Sequence, residues 1–168
     1  MQRFKLIIEY DGRPYAGWQS QINAPSVQQV LEEAFGNLEN RDRVVVQGSG
    51  RTDAGVHALG QVAHVDLERD ITPRKLREAI NHYLRAVPIS VLEIEAVDAE
   101  FNARFSATKR HYLYRILNRR APATFNQGLV WHVRSPLDVE PCTMLHKCLS
   151  ASMILQHFDM RIVRRKAR

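Results

Sequence analysis

Two segments with an apolar period of about 3.6 residues, 26–38 and 73–86, each lie between segments that alternate apolar and polar side chains. That order constrains the fold more than any other feature of the chain. Each helix must bury its stripe against a sheet built from the flanking strands, and short connections leave few ways to do so. Arg3 to Tyr10 alternates Phe4, Leu6 and Ile8 with Arg3, Lys5 and Ile7, which predicts a strand. Asp11-Gly12-Arg13-Pro14 is turn chemistry. Ser26 and Gln29 form a capping-box pattern ahead of Val27, Val30, Leu31, Ala34, Phe35 and Leu38. Arg43 to Gln47 predicts a short strand, Gly48 to Gly60 a Gly-rich connection, and Gln61 to Leu67 a further strand. Thr72 and Pro73 predict a second helix start, with Leu76, Ala79, Ile80, Tyr83 and Leu84 as its buried stripe. Pro88 ends it, and 89–97 predicts the fourth strand.

The expected fold is therefore α+β: a ferredoxin-like β-α-β-β-α-β antiparallel sheet with both helices on one face. It occupies residues 1–100. Residues 101–150 predict the start of a second, related half, with a basic strand near 110–118, a loop near 119–127 and a helix near 139–154. The face of the first sheet away from its helices is expected to be apolar and to meet solvent.

No apolar run approaches the roughly 18 residues of a membrane span. The first residues enter a strand pattern without the apolar core of a secretory signal. The expectation is a cytoplasmic chain with no membrane partner. Cys142 and Cys148 are too few for a disulfide framework, and no metal-ligand spacing occurs, so neither metal nor cofactor is expected.

The net charge of +6 is unevenly spread. Between Phe101 and Ser135 there is no Asp or Glu, while Arg104, Lys109, Arg110, Arg115, Arg119, Arg120 and Arg134 interleave with Phe105, Tyr112, Tyr114, Phe125 and Trp131. Cations among rings suit phosphate contacts with base stacking. They also suit a solvated strand edge whose rings belong to a core. The connection Gly48-Ser49-Gly50-Arg51-Thr52-Asp53-Ala54-Gly55-Val56-His57-Ala58 holds one carboxylate beside one guanidinium, and its glycines permit close backbone approach. It contains no phosphate-loop or dinucleotide fingerprint. By itself it fits a decorated hairpin with Asp53 in a turn as well as it fits a catalytic loop.

The string GRTDAGVHA (50–58) closely resembles the active-site motif of the TruA family of tRNA pseudouridine synthases. So do IEYDGRPYAGWQ (8–19), SVQQVLEEA (26–34) and FNARFSATKRHYLYRI (101–116), in family order and spacing over about residues 3–135. The resemblance implies isomerisation of uridine to pseudouridine in the tRNA anticodon stem-loop, at positions 38, 39 and 40, without a cofactor. It implies Asp53 as nucleophile, at the sugar C1′ or the base C6. It implies Tyr112 stacking on the target base and Arg51 acting in flipping it. Arg110, Arg115 and Arg119 are the candidates for RNA contact, and a homodimer is what the full-length family would form. A uridine inside a stem must leave the stack to react, and a desolvated carboxylate is a competent covalent catalyst. His57 is expected to be structural; Trp18 and Tyr15 are expected to pack or to form a rim.

The chain departs from the family pattern in length and at its end. Family members are longer, with a second half completing the cleft. Residues 151–168 read as an aberrant tail: back-translated with permitted codons and read one base earlier, they give GKHDFTTFRHAH and then CPAKSP, the family pattern. On that reading the tail is frameshifted, its basic run says nothing about RNA, and the chain as it stands is expected to be inactive. The alternatives are a non-catalytic RNA-binding domain and a pseudogene fragment of the same fold.

Overall fold

In the computed structural model, residues 1–137, 151–156 and 159–165 are described. The chain divides into two compact units, Met1–Ala107 and Thr108–Arg168.

The first unit contains β1 (Gln2–Tyr10), α1 (Val27–Glu39), β2 (Val46–Gly48), β3 (Ala58–Leu67), α2 (Pro73–Leu84) and β4 (Ile89–Val97). The sheet order is β2-β3-β1-β4 and every neighbouring pair is antiparallel. This is the expected ferredoxin-like arrangement, with β3 inserted between β1 and β2. Phe4, Leu6, Ile8, Ala63, Val65 and Val91 of the sheet join Leu31, Phe35, Leu76, Ile80 and Leu84 of the helices in one buried cluster. Both helices therefore cover one face. Each of these Val, Leu, Ile and Phe side chains stabilises the fold by roughly 1.5–3 kcal/mol relative to exposure.

Ser26 caps α1, its Oγ accepting from the Gln29 amide at 3.2 Å. Gln29 does not complete the box, since its side chain donates to Glu33. Thr72 is the N-cap residue of α2 but makes no side-chain cap bond. Tyr83 departs from the expected stripe and is 45% exposed. Leu76, Ile80 and Leu84, spaced by four, form the buried contact line with Ala79 packed partly against it, and the Tyr83 ring meets His82 edge-on at 6.0 Å. The outer edge of β4 is partly closed by Asn81, whose amide donates to the Val91 carbonyl and accepts from its N–H, both at 2.9 Å. Filling backbone groups in this way blunts an edge strand.

The face away from the helices is not the apolar surface that was expected. Arg3 binds Asp66 through two bonds of 2.7 Å, and Lys5 binds Glu95 at 2.8 Å. The segment after β4 folds back over this face. Arg3 donates to the carbonyls of Ala99 and Phe101, and the Ala103 amide donates to Nδ1 of buried His64 at 3.2 Å. Burial, and then Arg3, push the His64 pKa below its ordinary value, which keeps the ring neutral and able to accept that bond. Residues 101–107 accordingly pack with the first unit.

The second unit holds β5 (His111–Asn118), β6 (Trp131–Val133), β7 (Ala151–Gln156) and β8 (Asp159–Arg165). Its sheet order is β6-β5-β8-β7, with β5 and β6 parallel and the other pairs antiparallel. Most of the helix expected near 139–154 lies outside the described residues. Where they resume, at 151–154, the backbone is strand. The run Met153-Ile154-Leu155 fits either period, and pairing with β8 selects the extended form. Cys142 and Cys148 lie outside the described residues. No helix among the described residues is long and apolar enough to cross a membrane.

Candidate active site

The Gly-rich connection between β2 and β3 forms a loop clasped by the turn that follows β1. Asp53 heads a tight turn in which the Val56 amide donates to the Asp53 carbonyl at 3.2 Å, with Gly55 at φ 76°. Residues 11–18 run alongside as a strap. The Trp18 amide donates to the Thr52 carbonyl at 3.0 Å, and the Gly55 amide donates to the Tyr15 carbonyl at 3.3 Å. The hydroxyls of Tyr10 and Thr52 lie 2.9 Å apart. The residues on both sides of Asp53 are thus pinned by backbone.

Strap and loop approach closely enough to require glycine. Gly17 has φ 103°, and a Cβ there would stand 2.4 Å from the Thr52 carbonyl oxygen. A Cβ on Gly12 would stand 2.1 Å from the Val56 carbonyl oxygen. Trp18 is 2% exposed and stacks at a tilt near Tyr10, with centroids 6.1 Å apart. It and buried Tyr15 are packing residues of the strap.

His57 joins the far end of the loop to the strap. Its Nδ1 accepts from the Gly12 amide at 3.3 Å and stands 3.1 Å from Oδ1 of Asp11. Asp11 is itself gripped by Arg13, whose hydrogen bonds hold the Asp11 carboxyl at about 2. This is a positioning cluster, in keeping with a structural His57.

Arg51 and Asp53 are both exposed. Among the described residues no ion pair joins them, although side chains two apart in an extended segment would share a face. The Asp53 carboxylate has no hydrogen-bond partner among the described residues. Tyr112 lies on β5 of the second unit and is 42% exposed. Tyr114, 56% exposed, shares its face of the strand by alternation. Arg110 and Arg115 are half-buried, and Arg115 donates to Asn126 at 3.5 Å. Arg119 folds its own loop, donating to the carbonyls of Ala121 at 3.1 Å and Pro122 at 2.9 Å. Among the described residues no three His, Cys, Asp or Glu side chains gather as metal ligands would.

The strap was the part of this region that sequence reading missed. Gly12 read as a turn residue and Gly17 carried no reading of its own, because contacts between two backbones leave no side-chain signature. The one available signal was a pair of glycines five apart in a short segment that also carries two large aromatics, Tyr15 and Trp18.

Comparison with known proteins places this loop in context. A sequence model of the tRNA pseudouridine synthases matches residues 6–106, which include the second half of β1, the strap, both helices and the Asp53 loop. The tRNA pseudouridine synthase A of Maricaulis maris is 55% identical over 140 residues, 83% of this chain and 56% of its own length. That of Dinoroseobacter shibae is 58% identical over 140 residues, 83% of this chain and 54% of its own. That of a Ruegeria species is 45% identical over 164 residues, 98% of this chain and 61% of its own. The chain spans about half the length of the curated relatives it matches. With the family model covering more than half of the chain, and the clasped loop inside the matched region, this chain belongs to the tRNA pseudouridine synthase family.

Proposed function

We propose that this chain supplies the catalytic loop of a synthase that isomerises uridine in the anticodon stem-loop of tRNA, at positions 38–40, with Asp53 as the nucleophile. The observation that carries the reading is the clamped loop: backbone bonds fix Thr52 and Gly55 while leaving the Asp53 carboxylate exposed and without a competing partner. A carboxylate held this way is aimed before substrate arrives, which lowers the reorganisation needed for attack. In the reaction the N1–C1′ bond of uridine breaks and a C5–C1′ bond forms. The C5 hydrogen leaves as a proton and N1 takes one up, so no oxidant or metal is consumed. Attack by Asp53 at C1′ or at C6 both satisfy this balance. Arg51, on the same loop but not paired with Asp53, is suited to the phosphate side of a flipped nucleotide. Tyr112 offers a ring on which the detached base can turn in its plane.

The 168 residues alone are expected to give no pseudouridine above background. The reason is the exposure of Asp53, because an aqueous carboxylate is neither desolvated nor shielded from competing water. Incubation of the purified chain with tRNA, read by tritium release from C5-labelled uridine, checks this. Robust site-specific release would mean that the open loop suffices.

RNA contact is assigned to the acid-free stretch 101–135. Affinity for tRNA should fall steeply with salt, since each neutralised phosphate releases counterions. Replacing Arg110, Arg115 and Arg119 with Gln should flatten the plot of log affinity against log salt. Loss of three contacts would reduce the slope by about 2–3. An unchanged slope would move the RNA surface elsewhere.

A further inference from the structure

Glu32 is a buried carboxylate that the reaction does not use. Its side chain is 1% exposed, on the inner side of α1. Oε2 accepts from Arg43, at 2.6 Å from Nε and also from Nη2. Oε1 accepts from the Val46 amide and from Gln28 Nε2, each at 3.1 Å. The Glu32 carbonyl accepts from the Val44 amide at 3.2 Å. β2 is the edge of its sheet, pairing with β3 alone, so Glu32 supplies the partner that Val46 would otherwise lack. This also explains why the strand begins at Val46 and not at Arg43: the Arg43 side chain and the Val44 amide are held by the helix.

Gln28, one turn earlier, extends the network to the strap. Its Nε2 donates to the Val46 carbonyl at 2.9 Å, and its Oε1 accepts from the Ser20 amide at 2.9 Å and from Gln19 at 2.8 Å. Its own amide donates to the Trp18 carbonyl at 3.0 Å. Arg43 adds a bond to Ser20 Oγ at 3.0 Å. Two residues past Val46, Gly48 lies against the Trp18 indole, where a Cβ would stand 2.6 Å from Cε2. Trp18 in turn donates to Thr52, the residue before Asp53.

We propose that Glu32, acting with Gln28, is a positioning residue for the Asp53 loop. The network locks β2 and the strap to one helix, so both walls of the loop share a single frame. A buried carboxylate costs several kcal/mol to desolvate and would be a poor choice merely to fill α1's inner face. Its four accepted bonds are directional and charge-assisted, which is what fixing two backbone segments requires. The catalytic consequence rests on Asp53 being the reacting group; the structural one does not.

Hydrogen exchange on the full 168-residue chain tests it. In Glu32→Gln, the amides of Trp18, Gly55 and Val56 should exchange roughly tenfold faster or more, the effect of losing a buried charge-assisted bond. Amides in the β1–β3 ladder should be unchanged. Adding Arg43→Met should restore protection, because Gln can still accept from Val46 once no cation faces its amide. If Glu32→Gln does not fold, Gln28→Met gives the same readout without burying a charge. Equal acceleration in the β1–β3 ladder, or unchanged loop exchange, would overturn the proposal. In a synthase extended to the relatives' length, kcat should fall with KM for tRNA unmoved. Turnover surviving Asp53→Asn would sink the assignment of the nucleophile while leaving the exchange result standing.

Discussion

Asp53→Asn is expected to abolish pseudouridine formation in a synthase that joins this chain to the remaining length of its relatives. The loss should be at least about ten-thousandfold in kcat, the scale seen when a covalent catalytic group is removed. Binding of tRNA should survive within a few-fold. Asn has nearly the volume of Asp, and no bond from the Asp53 side chain to the described residues would be broken. The turn should also persist, because the Val56 amide bonds the Asp53 backbone carbonyl and not its side chain. What changes is nucleophilicity: an amide oxygen does not form the covalent adduct at C1′ or C6. Tritium release from C5-labelled uridine measures the first quantity and filter retention of labelled tRNA the second. Appreciable release by Asp53→Asn would remove the nucleophile from this loop.

The order of elements was legible because it depends on burial periodicity, which each segment carries in its own sequence. Val27, Leu31, Ala34, Phe35 and Leu38 face the core where the 3.6-residue period put them, and Ser26 caps the helix as its residue type and place suggested. The elements that shifted did so through interactions between segments. β2 starts late because a helix side chain takes over the role of a neighbouring strand. The second face of the sheet is polar because Arg3 and Lys5 meet Asp66 and Glu95, residues far apart in sequence. Asp53 and Arg51 stood out as a charged pair among glycines, yet nothing in that pattern separated a reactive loop from an ordinary hairpin. The missing information was the strap, which acts through main-chain atoms that every residue possesses.

The strap supplies the second large effect. Gly12→Ala should destabilise the first unit by about 3 kcal/mol or more, at the upper end of overpacking costs. The added Cβ would meet the Val56 carbonyl oxygen at 2.1 Å and the Gly55 carbonyl carbon at 2.9 Å, and both are backbone. No rotamer change can relieve that contact, so strap and loop must separate. Separation would weaken the His57 contacts to Gly12 and Asp11 and the bond from Gly55 to Tyr15. For a unit of this size the melting temperature should drop by roughly 12 °C or more. Gly17→Ala should act in the same direction at the other end of the loop, through its φ of 103° and its contact with Thr52. Gly60→Ala is the control. Its nearest neighbour would be the Ile7 Cγ2 at 3.8 Å, an ordinary contact, and its melting temperature should stay close to that of the unmodified chain. Thermal melts of the three variants decide the matter. If Gly12→Ala melts with Gly60→Ala, strap and loop are not in the close backbone contact from which the positioning of Asp53 has been argued.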